Sequence, residues 1–393
     1  MTDQAPSIIR KRGEAARASL QELFFDLAIV AALAQMSRHL ASNVTVTGVI
    51  GTVLPLLAVW WIWCVTAMMT DVFDPDRIPV QAALVLSMVG TVLMAAIMPG
   101  AVGPQALIFA SVYVTIHNGR QVILLGALRG GAARQRAGRY LFWFAGAAPA
   151  WIIGGLVHGT ARYVLWGLGL FIDYLGYAIR HPVPRYGRLP KNTYERRGIH
   201  LSERFQQIMI VGLGDLVLVP TLEVSRDQFS APRVIAFLVT FVQTAILWQI
   251  YVSRAGAVIP MLNEHRPARL VRWALYTHLL MIAGIVTMAA AAEMIIRAPA
   301  GPAPGPSVMV FFAGPLLFLI GRAAFEFEVF KRVSWSRVAF MLVLVALAPV
   351  MVGGSPVLVQ ATATAVLLCV AISDAVRTHL VNRGTTRALS RDP

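Results

Sequence analysis

Apolar residues gather along this chain in twelve long stretches separated by short polar or Pro/Gly-rich breaks. The stretches occupy 21–40, 46–69, 79–98, 105–128, 139–157, 161–179, 200–220, 232–252, 271–296, 308–328, 337–353 and 356–376. Each approaches the ~20 residues that a helix needs to cross a bilayer. The breaks carry strong turn signals: Asp74-Pro75, Pro99-Gly100, Gly130-Gly131, Pro182 to Pro190, Pro299 to Pro306, and Gly353-Gly354. None is long enough to be a separate folded domain. The pattern predicts an all-α polytopic membrane protein of about 12 transmembrane helices.

Charge then orients the spans. Basic residues cluster in alternate connections: Arg10, Lys11, Arg12 and Arg17 before the first stretch, Arg77, the group Arg129 to Arg139, and six residues from Arg180 to Arg197. Further clusters are Arg254 to Arg272, Lys331 to Arg337, and Arg377 to Arg391. The intervening connections hold only Arg38, Arg162, Arg226, Arg233 and Arg297. Basic residues mark the cytoplasmic side, so both termini are expected in the cytoplasm. The first stretch carries Glu22, Asp26, Arg38 and His39 and has no small-residue cleavage pattern, so it reads as a retained helix and not as a signal peptide. Composition agrees with this class: 57% hydrophobic and only 13% charged, against roughly 25% charged in soluble domains. The net charge of +15 would otherwise suggest nucleic acid, but its confinement to connections makes it a topology signal. Cys64 and Cys369 both lie within apolar stretches and define neither a disulfide framework nor a metal site.

Three signatures recur in matching order. Glu22-Leu23-Phe24 opens the first stretch and Glu203-Arg204-Phe205 the seventh. Trp60-Trp61-Ile62-Trp63 in the second corresponds to Trp248-Gln249-Ile250-Tyr251 in the eighth, and Gly119-Arg120 in the fourth to Gly321-Arg322 in the tenth. Two six-helix repeats with the same orientation are therefore expected. The implied organisation is a cytoplasmic segment 1–19, a first repeat 20–180, a basic linker 181–199, a second repeat 200–379 and a cytoplasmic tail 380–393.

Ionisable groups inside membrane helices are costly and each requires a reason. Glu22 and Asp26 lie four apart, on one helical face. His117 and Arg120 lie three apart, and His200, Glu203 and Arg204 occupy the first turns of the seventh stretch. With Asp173, His278 and Arg322, these groups fall on the cytoplasmic side of the expected topology, whereas Asp215 and Glu293 fall toward the outside. A shared polar site near the cytoplasmic face is one reading. Another is a set of buried Arg–carboxylate pairs that pin helices, with Arg120 clamping Glu203 and Arg322 clamping Glu22. The segment Asp71-Val72-Phe73-Asp74-Pro75-Asp76-Arg77 adds three carboxylates at the inner surface. Asp71, Asp74 and Asp76 could hold a divalent cation, but a capped turn leading into the third helix explains them more simply. Trp61 and Gln249 are further candidates for lining a cavity. Walker, dinucleotide, zinc-pair and nucleophile-elbow motifs are absent from the sequence.

Glu22-Leu23-Phe24-Phe25-Asp26-Leu27 resembles the E-L-F-F-D-L opening of the bacterial low temperature requirement A family. The similarity continues through Trp60 to Trp63, Phe73-Asp74-Pro75-Asp76-Arg77, Asp173-Tyr174 and His278. His200-Leu201-Ser202-Glu203-Arg204-Phe205 is similar to the family's H-L-A-E-R-F. The resemblance spans nearly the whole chain and implies a multi-pass protein of the bacterial cytoplasmic membrane. Leu213-Gly214-Asp215 departs from the family's L-G-E and retracts the carboxylate by one methylene. Phe24-Phe25-Asp26 is also similar to the F-S-D first-helix signature of potassium channels built from six-helix repeats, which keeps an ion pathway in view.

Three functions fit these residues. A transporter or ion-translocating protein would use Asp26, Glu203 and Asp215 for the coupling proton or cation. His200 and His278 would serve as relay, and His117, Arg120, Asp173, Arg204 and Arg322 as substrate contacts or counter-ions. A membrane-embedded enzyme, with a lipidic or isoprenoid-diphosphate substrate and a divalent cation as its cofactor, would draw its acid from Glu22, Asp26, His200 or Glu203. A structural or assembly protein would use the charges only to lock helices. The expected partners are the bilayer and a small-molecule, ion or lipid substrate, with no nucleic acid.

Overall fold

The computed structural model describes residues 8–10, 18–184, 187–189, 198–226, 230–252, 267–332 and 334–389. Lys11, Arg12, Arg17, Arg254, Arg266, Arg391 and most of the 181–199 linker lie outside the described residues. Every apolar stretch becomes a helix. In chain order these are α1 (Leu20–Ser42), α2 (Val46–Val72), α3 (Ile78–Ile97), α4 (Ala106–Ala127), α5 (Gly131–Leu156) and α6 (Thr160–Ala178). They continue with α7 (Gly198–Leu213), α8 (Asp215–Ser225), α9 (Ala231–Val252), α10 (Pro267–Arg297), α11 (Gly305–Phe330), α12 (Trp335–Val350) and α13 (Pro356–Leu389). The seventh stretch is divided between α7 and α8 at Gly214.

Among the described residues, eight helical spans, including α1, α2 and α3, are long and apolar enough to cross a membrane, and α12 is a shorter apolar helix. Burial supports the same environment by inverting the soluble pattern. The outward faces carry Phe24, Leu27, Val85, Val89, Val92, Ile235, Leu238 and Phe241, while Glu22, Asp26, Arg120, Asp173, Arg204 and Arg322 are buried. Lipid solvates the first set, and only protein can partner the second. The chain is a polytopic helical membrane protein.

Two compact units divide the residues: Met1–Val211 with Leu262–Leu275, and Gly212–Met261 with Tyr276–Pro393. In the first, α1 packs on α2 and α3, α4 packs on α3 and α5, and α5 packs on α6. Ser19 starts α1 through a capping box: its hydroxyl accepts from the Glu22 N–H, and the Glu22 carboxylate accepts from the Ser19 N–H. α2 is enclosed along its C-terminal half, where Trp60 to Thr70 are all buried. In the second unit, α13 packs on α9, α11 and α12. There α10 and α11 approach through small residues. A Cβ on Gly284 would lie 2.7 Å from the Phe318 nitrogen, and one on Gly321 2.6 Å from the Thr277 carbonyl oxygen. Glycine at both positions therefore sets the interhelical distance.

Candidate functional site

The first unit concentrates its charge on α1, α2 and α7. Glu22 and Asp26 face inward on α1, and His200 and Arg204, also four residues apart, face them from α7. Arg204 forms a bidentate pair with Asp26, donating from Nη1 to Oδ2 at 2.9 Å and from Nη2 to Oδ1 at 2.8 Å. Trp63 Nε1 donates to the same Asp26 Oδ1 at 2.8 Å. Arg204 Nε is 3.7 Å from Glu22 Oε1, so this arginine is shared unequally between the carboxylates. Glu22 turns instead to His200, whose Nε2 lies 3.3 Å from Glu22 Oε1. The other ring nitrogen of His200, Nδ1, is 3.5 Å from Asp71 Oδ1 at the end of α2. The result is a chain of ionisable groups, Asp71, His200, Glu22, Arg204 and Asp26. Within this chain of groups each buried charge has an opposite partner, as burial of ions requires.

A second polar cluster in the same unit lies on α2, α4, α5 and α6. Arg120 Nη1 donates to Thr66 Oγ1 at 2.6 Å, and Arg120 Nη2 meets His117 Nδ1 at 3.1 Å. A guanidinium can only donate, so His117 Nδ1 accepts and its ring proton is on Nε2. Tyr113 donates to Asp173 Oδ2 at 2.8 Å and packs its ring on those of His117 and Trp151. Trp61 is buried against Tyr174 and Tyr177, whereas Gln249 is exposed.

The expected clamp between Arg120 and Glu203 is not formed. Arg120 turns to a hydroxyl and an imidazole, and Glu203 is half-buried with no ion pair among the described residues. The expected Glu22 clamp also differs, because His200 and Arg204 hold that carboxylate. Helical geometry separates the two neighbours on α7. Glu203 precedes Arg204 by one residue, about 100° around the helix, so the two cannot both face α1.

The acidic segment resolves into a capped turn. Asp74 Oδ1 accepts from the Asp76 N–H at 3.0 Å, and Asp74 Oδ2 accepts from Arg77 Nε at 3.2 Å. Only Asp71 of the three candidate ligands faces a neighbouring helix, and it faces His200. No cluster of three or more His, Cys, Asp or Glu suited to a metal occurs among the described residues.

The second unit holds Arg322, His278 and Asp215, all buried. Arg322 Nε donates to the Ile250 carbonyl at 3.4 Å. His278 Nε2 is 3.4 Å from the Tyr251 hydroxyl, and its ring stands edge-on to Phe325. Beside them is a clamp that sequence reading missed, in which Arg337 gives one terminal nitrogen to Glu326 and the other to Asp374. Arg337 had been assigned to a cytoplasmic connection. It lies instead in the first turn of α12, buried. The missed signal was two carboxylates, Glu326 and Asp374, at the ends of apolar stretches flanking a basic residue. Near the opposite end of α10, Arg297 bridges Glu293 and Glu223. A cavity of about 280 Å³ adjoins it, lined by Met294, Ala303, Pro304, Ser307 and Phe311.

Comparison with known proteins agrees with the motifs. The family pattern described as Bacterial low temperature requirement A protein matches residues 17–372. An uncharacterized protein of Rhizobium meliloti (strain 1021) is 30% identical over 316 residues, covering 78% of this chain and 76% of that protein. No solved structure matches.

Proposed function

We propose that this chain, which belongs to the bacterial low temperature requirement A family, is a proton-translocating transporter of the bacterial cytoplasmic membrane. Its proton entry route is the chain of groups from Asp71 through His200 to Glu22, with Arg204 and Asp26 anchoring its inner end. The observation that carries this reading is the gradient of exposure along contiguous ionisable groups. The side chains are 16% exposed at Asp71, 2% at His200 and 0% at Glu22 and Asp26. A proton arriving from water meets Asp71 first, then an imidazole with a carboxylate on each ring nitrogen, then a carboxylate one helical turn inside α1. Imidazole suits this transfer because it can accept on one nitrogen while releasing from the other.

The geometry favours a proton over a metal ion. Glu22 and Asp71 lie against opposite nitrogens of His200, so their oxygens do not converge on one point as a cation cage requires. Arg204 anchors Asp26 and leaves Glu22 only a longer contact, which keeps Glu22 available to His200. Hydroxyls on α2 extend the polar path: Thr70 faces Glu22, and Thr66, one turn away, binds Arg120. With the N-terminus inside, as the basic connections indicate, Asp71 opens to the cytoplasm. The six-helix repeats inferred from the three paired signatures fit a transporter built from two related halves.

The test uses the full chain in potassium-loaded proteoliposomes containing a pH-sensitive dye, with valinomycin imposing a negative interior. Proton uptake above that of empty vesicles is expected. His200→Phe and Asp71→Asn should reduce it at least tenfold while eluting as the wild type does in size-exclusion chromatography. Uptake equal to that of empty vesicles, or undiminished in both variants, would overturn the proposal.

A further inference from the structure

The N-terminal residues that precede α1 are engaged at the mouth of this chain of groups. Ile9 and Phe73 form an isolated antiparallel bridge. Its hydrogen bonds run from the Arg10 N–H to the Val72 carbonyl at 3.1 Å and from the Asp74 N–H to the Ile8 carbonyl at 3.0 Å. The bridge thus grips the residues immediately after Asp71, the most exposed member of the relay. It also turns Arg10 inward, where the side chain is buried and Nη2 lies 4.0 Å from Glu22 Oε2. Glu22 is therefore faced by Arg10 from the N-terminal segment, by His200 and Arg204 from α7, and by Thr70 from α2.

We propose that residues 8–10 are a strap that closes the relay, with Arg10 as a tethered cation occupying the aqueous approach to Glu22 and His200. This inference rests on the proton-relay reading and adds its regulation. Two features suit a closure that opens. Among the described residues the backbone pairing of the strap is an isolated bridge and not part of a ladder, and elements outside continuous ladders open locally before the rest of a fold. The Arg10–Glu22 contact, at 4.0 Å, is longer than a hydrogen bond, so it rests on charge alone. When the strap is released, Asp71 and His200 gain solvent and Glu22 loses one of its cationic neighbours. The same carboxylate caps α1 through Ser19 at 2.8 Å, so strap position and helix start share one group.

Two measurements separate this inference from the transport reading. In a chain carrying Cys64→Ala and Cys369→Ala, the pair Ile9→Cys/Phe73→Cys should form a disulfide that holds the strap shut. Oxidised proteoliposomes are expected to take up protons at least fivefold more slowly than the same vesicles after reduction. Equal rates would overturn the strap. The second measurement needs no transport: a cysteine placed by Asp71→Cys should react with a charged water-soluble maleimide at least threefold faster when Arg10→Ala is added. Equal labelling rates would overturn the strap even if proton uptake were fully established. Faster labelling in vesicles that move no protons would support the strap and sink the transport reading alone.

Discussion

Each unit buries an arginine between two carboxylates, yet the two arrangements differ in how the cation is shared. In the second unit, Arg337 gives one terminal nitrogen to Glu326 and one to Asp374. In the first, Arg204 commits both terminal nitrogens to Asp26 and leaves Glu22 a contact of 3.7 Å. Equal sharing ties α11, α12 and α13 into one block. Unequal sharing leaves a carboxylate to engage a histidine, and the histidine reaches a group exposed to water. Both places bury an arginine with two carboxylates, and the unequal arrangement of the first unit sets one of those carboxylates against a histidine. A buried ion pair is thus uninformative by itself, and its leftover valence is what separates a lock from a relay.

The largest expected effect comes from breaking the symmetric clamp. Arg337→Gln leaves Glu326 and Asp374 buried without their cation, which should cost about 3–5 kcal/mol. The check is a thermal melt of the detergent-solubilised protein, where this variant should be the least stable single substitution in either network. If Arg337→Gln melts with the wild type, the clamp does not hold α11, α12 and α13 together.

Asp26→Asn sharpens the comparison from the other side. The asparagine keeps one oxygen for Arg204 or Trp63, and Glu22 remains near the guanidinium, so the expected loss is smaller, about 1–3 kcal/mol. The sequence offers Asp26 as a carboxylate for the coupling proton or cation. The bidentate pair instead makes it the anchor of Arg204, so Asp26→Asn should lower both the melting temperature and proton uptake. His200→Gln should lower uptake with a smaller shift in melting temperature. If the two variants are equally unstable, the division between anchor and relay fails.

A third effect is a pH dependence outside the membrane spans. His181 follows α6 in a connection pinned by Arg139, which donates to its carbonyl at 3.3 Å, and its ring stacks on Tyr140 at 4.1 Å. Burial, together with Arg136 and Arg139 beside it, pushes the imidazole down from 6.5 to about 3. Between those values the unfolded chain binds a proton that the folded chain resists. Stability contributed by the neutral ring is therefore complete above pH 6.5 and declines as pH falls toward 3. His181→Phe retains the stacking and should flatten the slope of melting temperature against pH over that window. An unchanged slope would place the titrating group elsewhere.

Much of the fold was legible in the sequence because bilayer length leaves a strong signature. Even the shortest stretch, 337–353, became α12. The clearest boundary error was at α5, which begins at Gly131 and not near residue 139. Arg134, Arg136 and Arg139 depress hydropathy there, yet they belong to the helix and donate to carbonyls of Leu128, Met68 and Gly187. The site was half legible. Four-residue spacing put Glu22 with Asp26, and the same spacing on α7 singles out His200 and Arg204, but spacing cannot say which helix a face meets. Arg120 was expected to find a carboxylate and found Thr66 and His117, and long-range pairings of that kind leave no local trace. Glu326, Arg337 and Asp374 were overlooked because charges at the ends of apolar stretches look the same whether they face water or one another.

The smallest expected effect is the sharpest check on that helical geometry. Glu203 and Arg204 are adjacent in sequence and both are site candidates there, but Arg204 is turned toward α1, while Glu203 is half-buried. Glu203→Gln should therefore change stability by no more than about 0.5 kcal/mol, as substitutions away from buried networks do, and should leave proton uptake at the wild-type rate. Arg204→Gln, one position along, removes the cation shared by Asp26 and Glu22 and should resemble Asp26→Asn in both readouts or exceed it. The contrast between neighbours controls for expression, insertion and local helix propensity, since both substitutions place the same residue in the same turn. A melt in which Glu203→Gln falls as far as Arg204→Gln would mean that Glu203 holds a partner of its own, and the face assigned to α7 would have to be rotated accordingly.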